Sequence, residues 1–325
     1  MKGLARVLSL VVALAFIFSM PALSAEKPKN YPTRPIEVVV QYGAGGGSDI
    51  FVRSLMLPAA KMLGVNVNVT NMTGGAGVRA SQYVLAQPAD GYTIYNFSPE
   101  QLINTVFGRE NYSQEFAPLC QVQQDISFFY VHPDSKLKTI QDVVEYAKKN
   151  PGKLQFTGTT PASPDEVIIM LWAQKMGIDI QYIPYDRAPE SHAAVLGGHL
   201  DVLHEEPGVI LSLIDAGRLK PILAFAEERL ERFPDVPTAK ETGADVTMGR
   251  WRGLAVKKGT PQPIIDYLAS VMYKASKDKA YLDVAEASLL TIRPGWKGPE
   301  EFGKFWEEEY QNYYNIFKGL GYLKK

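Results

Sequence analysis

The sequence has only one cysteine, Cys120, and this scarcity limits both how the chain is stabilised and what chemistry it performs. A lone cysteine cannot form a disulfide within the chain, so stability must come from a packed core. Apolar residues lie on both sides of Cys120 and no basic residue is near it in sequence, which predicts a buried, unreactive thiol. Long runs of like charge are also missing, and the formal net charge is -1. The composition therefore argues against a nucleic-acid-binding face.

The motifs of catalytic and metal sites are missing as well. The sequence contains no Gly-x-Ser-x-Gly nucleophile motif. Its four histidines do not form a His-Glu-x-x-His motif or a comparable spacing of metal ligands. They are His132, His192, His199 and His204. We therefore expect no metal, no cofactor and no catalytic activity.

The N-terminal residues have the layout of a secretory signal peptide. Basic residues precede an apolar segment at residues 7–18, and a proline and small residues follow it. This segment is shorter than the roughly 20 residues that a membrane-spanning helix needs, so a cleaved signal is favoured over an uncleaved anchor. We predict residues 1–25 as the signal peptide, with cleavage after Ser24 or Ala25, and export of the remaining chain.

After this leader, the sequence alternates between strand and helix patterns. Strands are predicted at residues 36–40, 65–69 and 92–97, and helices at 48–63 and from the second glycine loop to about Ala86. Strands and helices that alternate at this spacing are typical of a parallel α/β unit.

A second unit of the same kind runs from Ile126 to Phe225, with its own strands and amphipathic helices. An apolar strand near Leu254 and two long helices follow it. This pattern predicts an α/β fold with two lobes joined by two crossing strands. The predicted lobe 1 comprises residues 28–126 and 252–325, and the predicted lobe 2 comprises residues 127–251.

A glycine-rich loop at residues 42–49 joins the first predicted strand to the first predicted helix. Glycines there let backbone N–H groups approach a ligand, and a helix N-terminus favours negative charge, so the loop could cradle a phosphate or a carboxylate. An equally good interpretation is a tight turn in which Ser48 or Asp49 caps the helix. The glycine spacing misses both the dinucleotide-binding and the P-loop motifs, which argues against a nucleotide site.

A second strand-to-helix loop, at residues 157–166, is rich in hydroxyl groups. Ser163, Pro164 and Glu166 match a capping box and are predicted to begin a helix. The other hydroxyl groups are candidate ligand donors, on Thr157, Thr159 and Thr160. Because ligands of open α/β sheets bind beyond the carboxyl ends of the strands, the two loops could face each other across a cleft.

Short segments spread over nearly the whole mature chain resemble a known family in their order and spacing. They lie at residues 31–36, 45–49, 71–77, 88–93, 183–185, 196–201, 235–238 and 251–254. Together they resemble the substrate-binding receptors of tripartite tricarboxylate transporters, also called Bug-type periplasmic receptors.

The resemblance implies a two-lobed periplasmic binding protein of the type II, venus-flytrap class. It implies a monomeric receptor that is not an enzyme, captures a small organic carboxylate and delivers it to a tripartite tricarboxylate-type membrane transporter. The alternative is an exported α/β enzyme acting on a carboxylate, which would need a nucleophile with a base, or a metal cluster.

The resemblance also implies that the two loops hold one carboxylate of the ligand through backbone N–H groups, hydroxyls and bridging waters. Carried over to this sequence, the contact residues are Ala44, Gly45, Gly46, Ser48 and Asp49 in one lobe and Thr157, Gly158 and Thr159 in the other.

The residues that depart from the family pattern are candidates for reading the rest of the ligand. They are Tyr42, Arg187, Trp251, Arg252 and Glu206, with Glu205 as the alternative to Glu206. An arginine that faces the cleft could bind a second carboxylate, whereas Tyr42 and Trp251 could stack on an aromatic acid. The competing interpretation is that Arg187 and Arg252 are solvated or pair with nearby acids.

Overall fold

The computed structural model describes residues 25–323. The predicted signal peptide, apart from its last residue, lies outside the described residues. Within residues 25–323, no helix combines the length and the apolar composition needed to cross a membrane.

The described chain folds into strands and helices that alternate as the sequence predicts. The strands are β1 (Ile36–Val40), β2 (Val67–Asn71), β3 (Thr93–Phe97), β4 (Phe116–Gln124), β5 (Phe128–Val131), β6 (Gln155–Thr159), β7 (Gln181–Tyr185), β8 (Val202–Glu205), β9 (Lys220–Ala224) and β10 (Trp251–Lys257). The helices are α1 (Gly47–Leu63), α2 (Val78–Leu85), α3 (Pro99–Val106), α4 (Tyr112–Glu115), α5 (Ile140–Lys149), α6 (Pro164–Met176), α7 (Ala188–Leu196), α8 (Pro207–Asp215), α9 (Gln262–Ser276), α10 (Lys279–Ala287) and α11 (Pro299–Gly319).

Local sequence signals set many of the helix ends. Helix α6 begins at Pro164 and is capped by Ser163, whose hydroxyl accepts a hydrogen bond from the Glu166 N–H. The carboxylate of Glu166 accepts from the N–H of Ala162 at 2.7 Å, one residue earlier than in the predicted capping box. The same helix ends at Gly177, whose φ of 63° is a left-handed conformation that favours glycine.

The strands form two five-stranded sheets with equivalent strand orders, and the chain therefore has the two lobes that the sequence predicts. The first sheet has the order β2-β1-β3-β10-β4, and the second has the order β7-β6-β8-β5-β9. In each sheet the first three strands are parallel and the fourth runs antiparallel to its neighbours. The chain passes from the first sheet to the second between β4 and β5 and returns between β9 and β10.

Each sheet is covered by apolar residues on both faces, so each lobe has its own core. The first sheet packs around groups that include Phe51 and Leu254 on one side and Phe97 and Trp306 on the other. Cys120 lies in the first of these groups as a buried free thiol, and burial raises its pKa well above the usual range. The prediction of a buried thiol is confirmed.

Strands β2 and β4 differ most from the sequence prediction. Strand β2 begins at Val67 rather than at residue 65, because its register pairs Val67 with Ile36 and Asn71 with Val40. Strand β4 was not predicted, because Pro118 and several glutamines interrupt its apolar pattern. It forms nevertheless, as the edge strand beside β10, with irregularities in its pairing.

Candidate functional site

A cavity of about 30 Å³ lies between the two lobes, where the two strand-to-helix loops meet the chain segment that returns to β10. Its lining comes from the first loop and α1 (Tyr42, Gly43, Gly46, Gly47, Ser48), from lobe 2 (Thr159, Asp165, Asp186, Ala188, Glu205, Glu206) and from the return segment (Arg250, Arg252). Small-molecule sites typically enclose about 300–1,000 Å³, so this cavity is far smaller than such a site. A ligand of that size must therefore displace protein groups or open the lobes.

The first loop presents the start of α1 to this cavity. Gly46 is the residue before the first helical turn and adopts an extended conformation with φ of -80°, without a side-chain cap. Gly47 and Ser48 follow as the first helical residues, where N–H groups have no acceptor within the helix. The alternative prediction that Ser48 or Asp49 caps α1 is therefore wrong. The geometry leaves the positive end of the helix directed at the cavity.

Asp49 holds the first loop in place and is not part of the cavity lining. Its carboxylate accepts hydrogen bonds from the Gly45 N–H at 3.0 Å, from Arg53 Nε at 2.8 Å and from Asn71 Nδ2 at 3.0 Å. Asn71 in turn donates to the backbone oxygen of Tyr42 at 3.0 Å. The Asp49 side chain thus ties α1 and β2 to both ends of the loop.

Polar groups of the second loop form hydrogen bonds with one another. Asp165 accepts hydrogen bonds from the N–H of Thr159 at 2.8 Å and from its hydroxyl at 2.6 Å. The loop also contains two non-glycine residues with positive φ, Thr160 at 31° and Ala162 at 53°. Such conformations cost of order 1 kcal/mol each and persist where the surrounding contacts hold them.

Two other predicted ligand residues of the second loop have structural contacts instead. The hydroxyl of Thr157 donates to the backbone oxygen of Ile183 at 2.7 Å, which joins β6 to β7. A Cβ at Gly158 would lie 2.8 Å from the Cβ of Asp165, so glycine is required there for close packing. Of the predicted lobe 2 loop residues, only Thr159 lines the cavity.

Arg250 is the centre of the site and contacts both lobes. Its Nε donates to Glu206 Oε1 at 3.1 Å, and its Nη2 donates to Asp165 Oδ1 at 3.0 Å. Its Nη1 donates to Glu100 and, at 3.2 Å, to the hydroxyl of Tyr42. The guanidinium is buried, and it joins α3 and the first loop to α6 and α8.

Arg252 lies two residues further along and faces the same way. Its Nη2 donates to Glu206 Oε2 at 3.2 Å, its Nε to the Ser48 hydroxyl at 3.2 Å, and its Nη1 to Asp125. A side chain at Gly47 would clash with this guanidinium. Burial lowers the pKa of Arg252 to about 10, so it stays protonated at neutral pH.

Two buried histidines complete the polar cluster. His192 Nε2 lies 2.7 Å from Glu205 Oε2, and His204 Nδ1 lies 3.3 Å from Asp165 Oδ1. His204 Nε2 is also 2.8 Å from the hydroxyl of Ser127. Among residues 25–323, no three His, Cys, Asp or Glu side chains are placed to hold a metal ion together.

The carboxylates of the cluster differ in how their charges are compensated. Burial opposes ionisation of Asp165, but Arg250 and His204 outweigh it and hold the pKa of Asp165 well below its usual range. Burial raises the pKa of Glu206 above its usual range, and Glu205 and Asp165 add to this rise while Arg250 opposes it. The pKa of Glu206 is thus shifted in the direction opposite to the pKa values of Asp165 and Glu205, which are lowered.

Several predicted site residues lie outside the cavity lining. Ala44 and Gly45 are exposed on the first loop, and Arg187 is exposed at its edge, 3.7 Å from Glu190 and close to Gly43. Trp251 faces the lobe 1 core, where it stacks on Phe97 at 6.3 Å between ring centroids. Side chains on a strand alternate between its faces, so Trp251 points away from the side shared by Arg250 and Arg252.

Sequence reasoning missed Arg250, Glu100, Asp125 and Asp165 as members of the site. The Arg250-Trp251-Arg252 pattern did contain a usable signal, because alternation places both arginines on one face. The sequence analysis predicted only an apolar strand near Leu254, however, and did not apply alternation to these residues. The acids carry no comparable local signal, since they come from separate elements far apart in sequence.

The sequence matches the model of one protein family, described as the tripartite tricarboxylate transporter family receptor, over residues 51–318. A curated relative from Cupriavidus necator, the UPF0065 protein in gbd 5'region, is 30% identical over 322 residues, which cover 94% of this chain and 93% of that protein.

Solved structures share the fold. The periplasmic binding protein BugD superposes with a TM-score of 0.81 at 24% identity, covering 91% of this chain and 100% of BugD. The R. palustris protein Rpa4515, solved with adipate, superposes with a TM-score of 0.83 at 20% identity, covering 90% of this chain and 99% of that one. At these identities the likeness concerns the fold, and it matches the two-lobed arrangement described above.

Proposed function

Because this chain belongs to the tripartite tricarboxylate transporter receptor family, we propose that it binds a small organic carboxylate between its lobes and delivers it to a membrane transporter of the tripartite tricarboxylate type. One observation carries the proposal. The positive end of α1 and the buried guanidiniums of Arg250 and Arg252 converge on one cavity between the lobes. Helix N-termini and guanidinium groups are two of the main devices with which proteins bind carboxylates.

The proposed contact residues are those that both loops bring to the cavity. Tyr42, Gly46 and Ser48 contribute from the first loop, and Thr159 contributes from the second loop, while Glu206 lines the cavity beside both arginines. The structural contacts of Asp49, Thr157 and Gly158 favour a supporting role for these residues rather than direct contact with the ligand. The adipate bound by Rpa4515 makes a linear diacid a reasonable first ligand to test here.

Membership of this family also supports proposals on location, oligomeric state and the lack of catalysis. The family consists of receptors rather than enzymes, and its members are periplasmic binding proteins. For this chain we propose a signal peptide at residues 1–25, a periplasmic location, a monomer and no catalytic activity. The proposed lobe bounds are residues 28–126 with 252–325, and residues 127–251.

A thermal-shift screen of the purified mature protein tests this function. A ligand that binds only the folded state stabilises it by about 2.7 kcal/mol at a concentration of 100 Kd, so a bound acid raises the melting temperature. The panel would contain linear diacids, hydroxy acids, tricarboxylic acids, aromatic acids and amino acids. The proposal predicts stabilisation by at least one of them, with all of the acid recovered unchanged after incubation.

Two results would contradict the proposal. If no carboxylate in the panel stabilised the protein, the cavity would not be a carboxylate site. If the protein consumed one of the acids, the alternative of an exported enzyme would be correct.

A further inference from the structure

Glu206 is the residue immediately before helix α8, and its side chain has an unusual orientation for that position. Residues at this position commonly cap the helix with their side chain, but Glu206 makes no such bond to α8. Its carboxylate points across the cleft instead and is buried there. It receives one hydrogen bond from each arginine, Arg250 on Oε1 and Arg252 on Oε2.

This carboxylate also lies against the start of α1. A Cβ at Gly47 would be 3.3 Å from Glu206 Oε2, so the oxygen is close to the backbone of the first helical residue. Glu206 belongs to lobe 2, whereas Gly47 belongs to lobe 1. A lobe 2 carboxylate is thus held between two guanidiniums, in front of a lobe 1 helix N-terminus. Guanidinium groups together with a helix N-terminus are the arrangement that a bound carboxylate ligand requires.

The charge balance of the cluster distinguishes Glu206 from the other acids. Arg250 pairs with Glu100, Asp165 and Glu206, and Arg252 pairs with Asp125 and Glu206. Four carboxylates therefore surround two guanidiniums. Glu206 is the one of these four carboxylates that contacts both guanidiniums, and without it Arg250 would keep Glu100 and Asp165 while Arg252 would keep Asp125.

On these grounds we infer that Glu206 is an internal competitor that holds the place of the ligand carboxylate between Arg250 and Arg252, and that a ligand binds by exchanging its own carboxylate for that of Glu206. The inference rests on the proposed function and assigns its anion subsite. An exchange keeps the number of negative charges near the arginines constant, whereas an added carboxylate would increase an existing excess. It also fits the small cavity, since the ligand would fill space that the Glu206 carboxylate leaves.

If the exchange occurs, neutralising Glu206 changes ligand affinity in the direction opposite to that expected for an ordinary contact residue. If Glu206 touched the ligand and stabilised it, neutralising Glu206 would weaken binding. If Glu206 competes with the ligand, its neutralisation leaves the arginines less fully compensated and strengthens binding. The raised pKa of Glu206 agrees with a carboxylate that is held at a cost.

Isothermal titration calorimetry with adipate and hexanoate tests the inference on the mature wild-type protein and two variants. Hexanoate has the same chain length as adipate but only one carboxylate. Glu206→Gln keeps the shape of the side chain and removes its charge. Glu37→Gln is the matched control, because Glu37 is also a hydrogen-bonded carboxylate, bound by Thr70 and Tyr83, and does not line the cavity.

The inference predicts that Glu206→Gln binds whichever of adipate and hexanoate the wild-type protein binds, and that its affinity is about tenfold higher. This is the effect of losing one charge-assisted competitor. Glu37→Gln should match wild type. If wild type binds neither acid detectably, Glu206→Gln should acquire binding. Unchanged or weaker binding by Glu206→Gln, or no binding of either acid by any of the proteins, overturns the inference.

Failure of the inference and failure of the proposed function are distinguishable. A wild-type protein that binds an acid from the thermal-shift panel keeps the proposed function even if Glu206→Gln binds that acid less tightly. In that case Glu206 contacts a group of the ligand directly and stabilises the bound ligand. Thermal unfolding of each variant, monitored by circular dichroism, confirms that the compared proteins are folded.

Discussion

The two strand-to-helix loops lie at equivalent places in the two sheets, after β1 and after β6, yet they use their polar groups differently. The first loop is built of glycines and directs the start of α1 at the cavity. In the second loop, polar side chains bond to other protein groups, with Asp165 accepting from the backbone and the hydroxyl of Thr159 and from Arg250. Equivalent topology therefore does not imply equivalent chemistry.

This difference assigns separate roles to the two lobes. The first loop offers backbone groups to an anion, while the second loop offers Asp165 to Arg250 and so positions the guanidinium. Arg250 then connects the two, because it also contacts Tyr42 beside the first loop. The following variants separate ligand contact from structural support, in order of decreasing expected effect.

Arg250→Met should produce the largest loss of stability. Removing one partner of a buried ion pair costs about 3–5 kcal/mol, and this substitution leaves Glu100 and Asp165 buried without their common guanidinium. Urea denaturation measures the change in the free energy of unfolding. Arg187→Met is the control, because Arg187 is exposed, and it should change stability by less than about 0.5 kcal/mol. Equal effects of the two substitutions would show that Arg250 does not join the lobes.

A pair of glycine substitutions tests the contrast between the loops directly. Gly158→Ala should cost about 1–3 kcal/mol, because the new methyl group would lie 2.8 Å from the Cβ of Asp165 in a packed region. Gly47→Ala should instead displace the buried Arg252 guanidinium from Glu206 and Asp125, and so lower ligand affinity by about tenfold in addition to a loss of stability. Denaturation and calorimetry on both variants provide the two measurements.

Gly46→Ala is the comparison for Gly47→Ala. The nearest atom to a Cβ at Gly46 is the Gly43 oxygen at 3.5 Å, and the φ of -80° suits any residue. We expect little change in affinity or stability from this substitution. If Gly47→Ala bound the ligand as tightly as Gly46→Ala, the Arg252 guanidinium would not be part of the anion site.

Thr157→Val should affect stability alone, and by less than the substitutions of Arg250 and Gly158. It removes the hydroxyl that donates to Ile183, for an expected loss of about 1 kcal/mol of stability, and leaves ligand affinity unchanged. Measured by denaturation and titration, a loss of affinity without a loss of stability would restore Thr157 to the ligand-binding residues that the sequence predicted.

The sequence was informative wherever the signal was local. Both loops, the start of α6 at Ser163 and Pro164, and the burial of Cys120 follow from neighbouring residues, because turns, caps and apolar patterns depend on a few consecutive positions. Strand β4 was missed because its buried glutamines, Gln121 and Gln123, resemble a polar surface segment. The sequence prediction for Trp251 conflicts with its position in the structure for a related reason, since its neighbours were not recognised as a strand.

The sequence by itself determined the two α/β units, their order along the chain and the two loops that end at the cleft. Only the tertiary structure decided which charges meet there. Arg250 contacts Glu100, Asp165 and Glu206, which lie 150, 85 and 44 residues away in sequence. No local pattern encodes such pairs, because they form where the two sheets bring their strand ends together. The electrostatic character of the cleft is consequently a property of how the lobes meet.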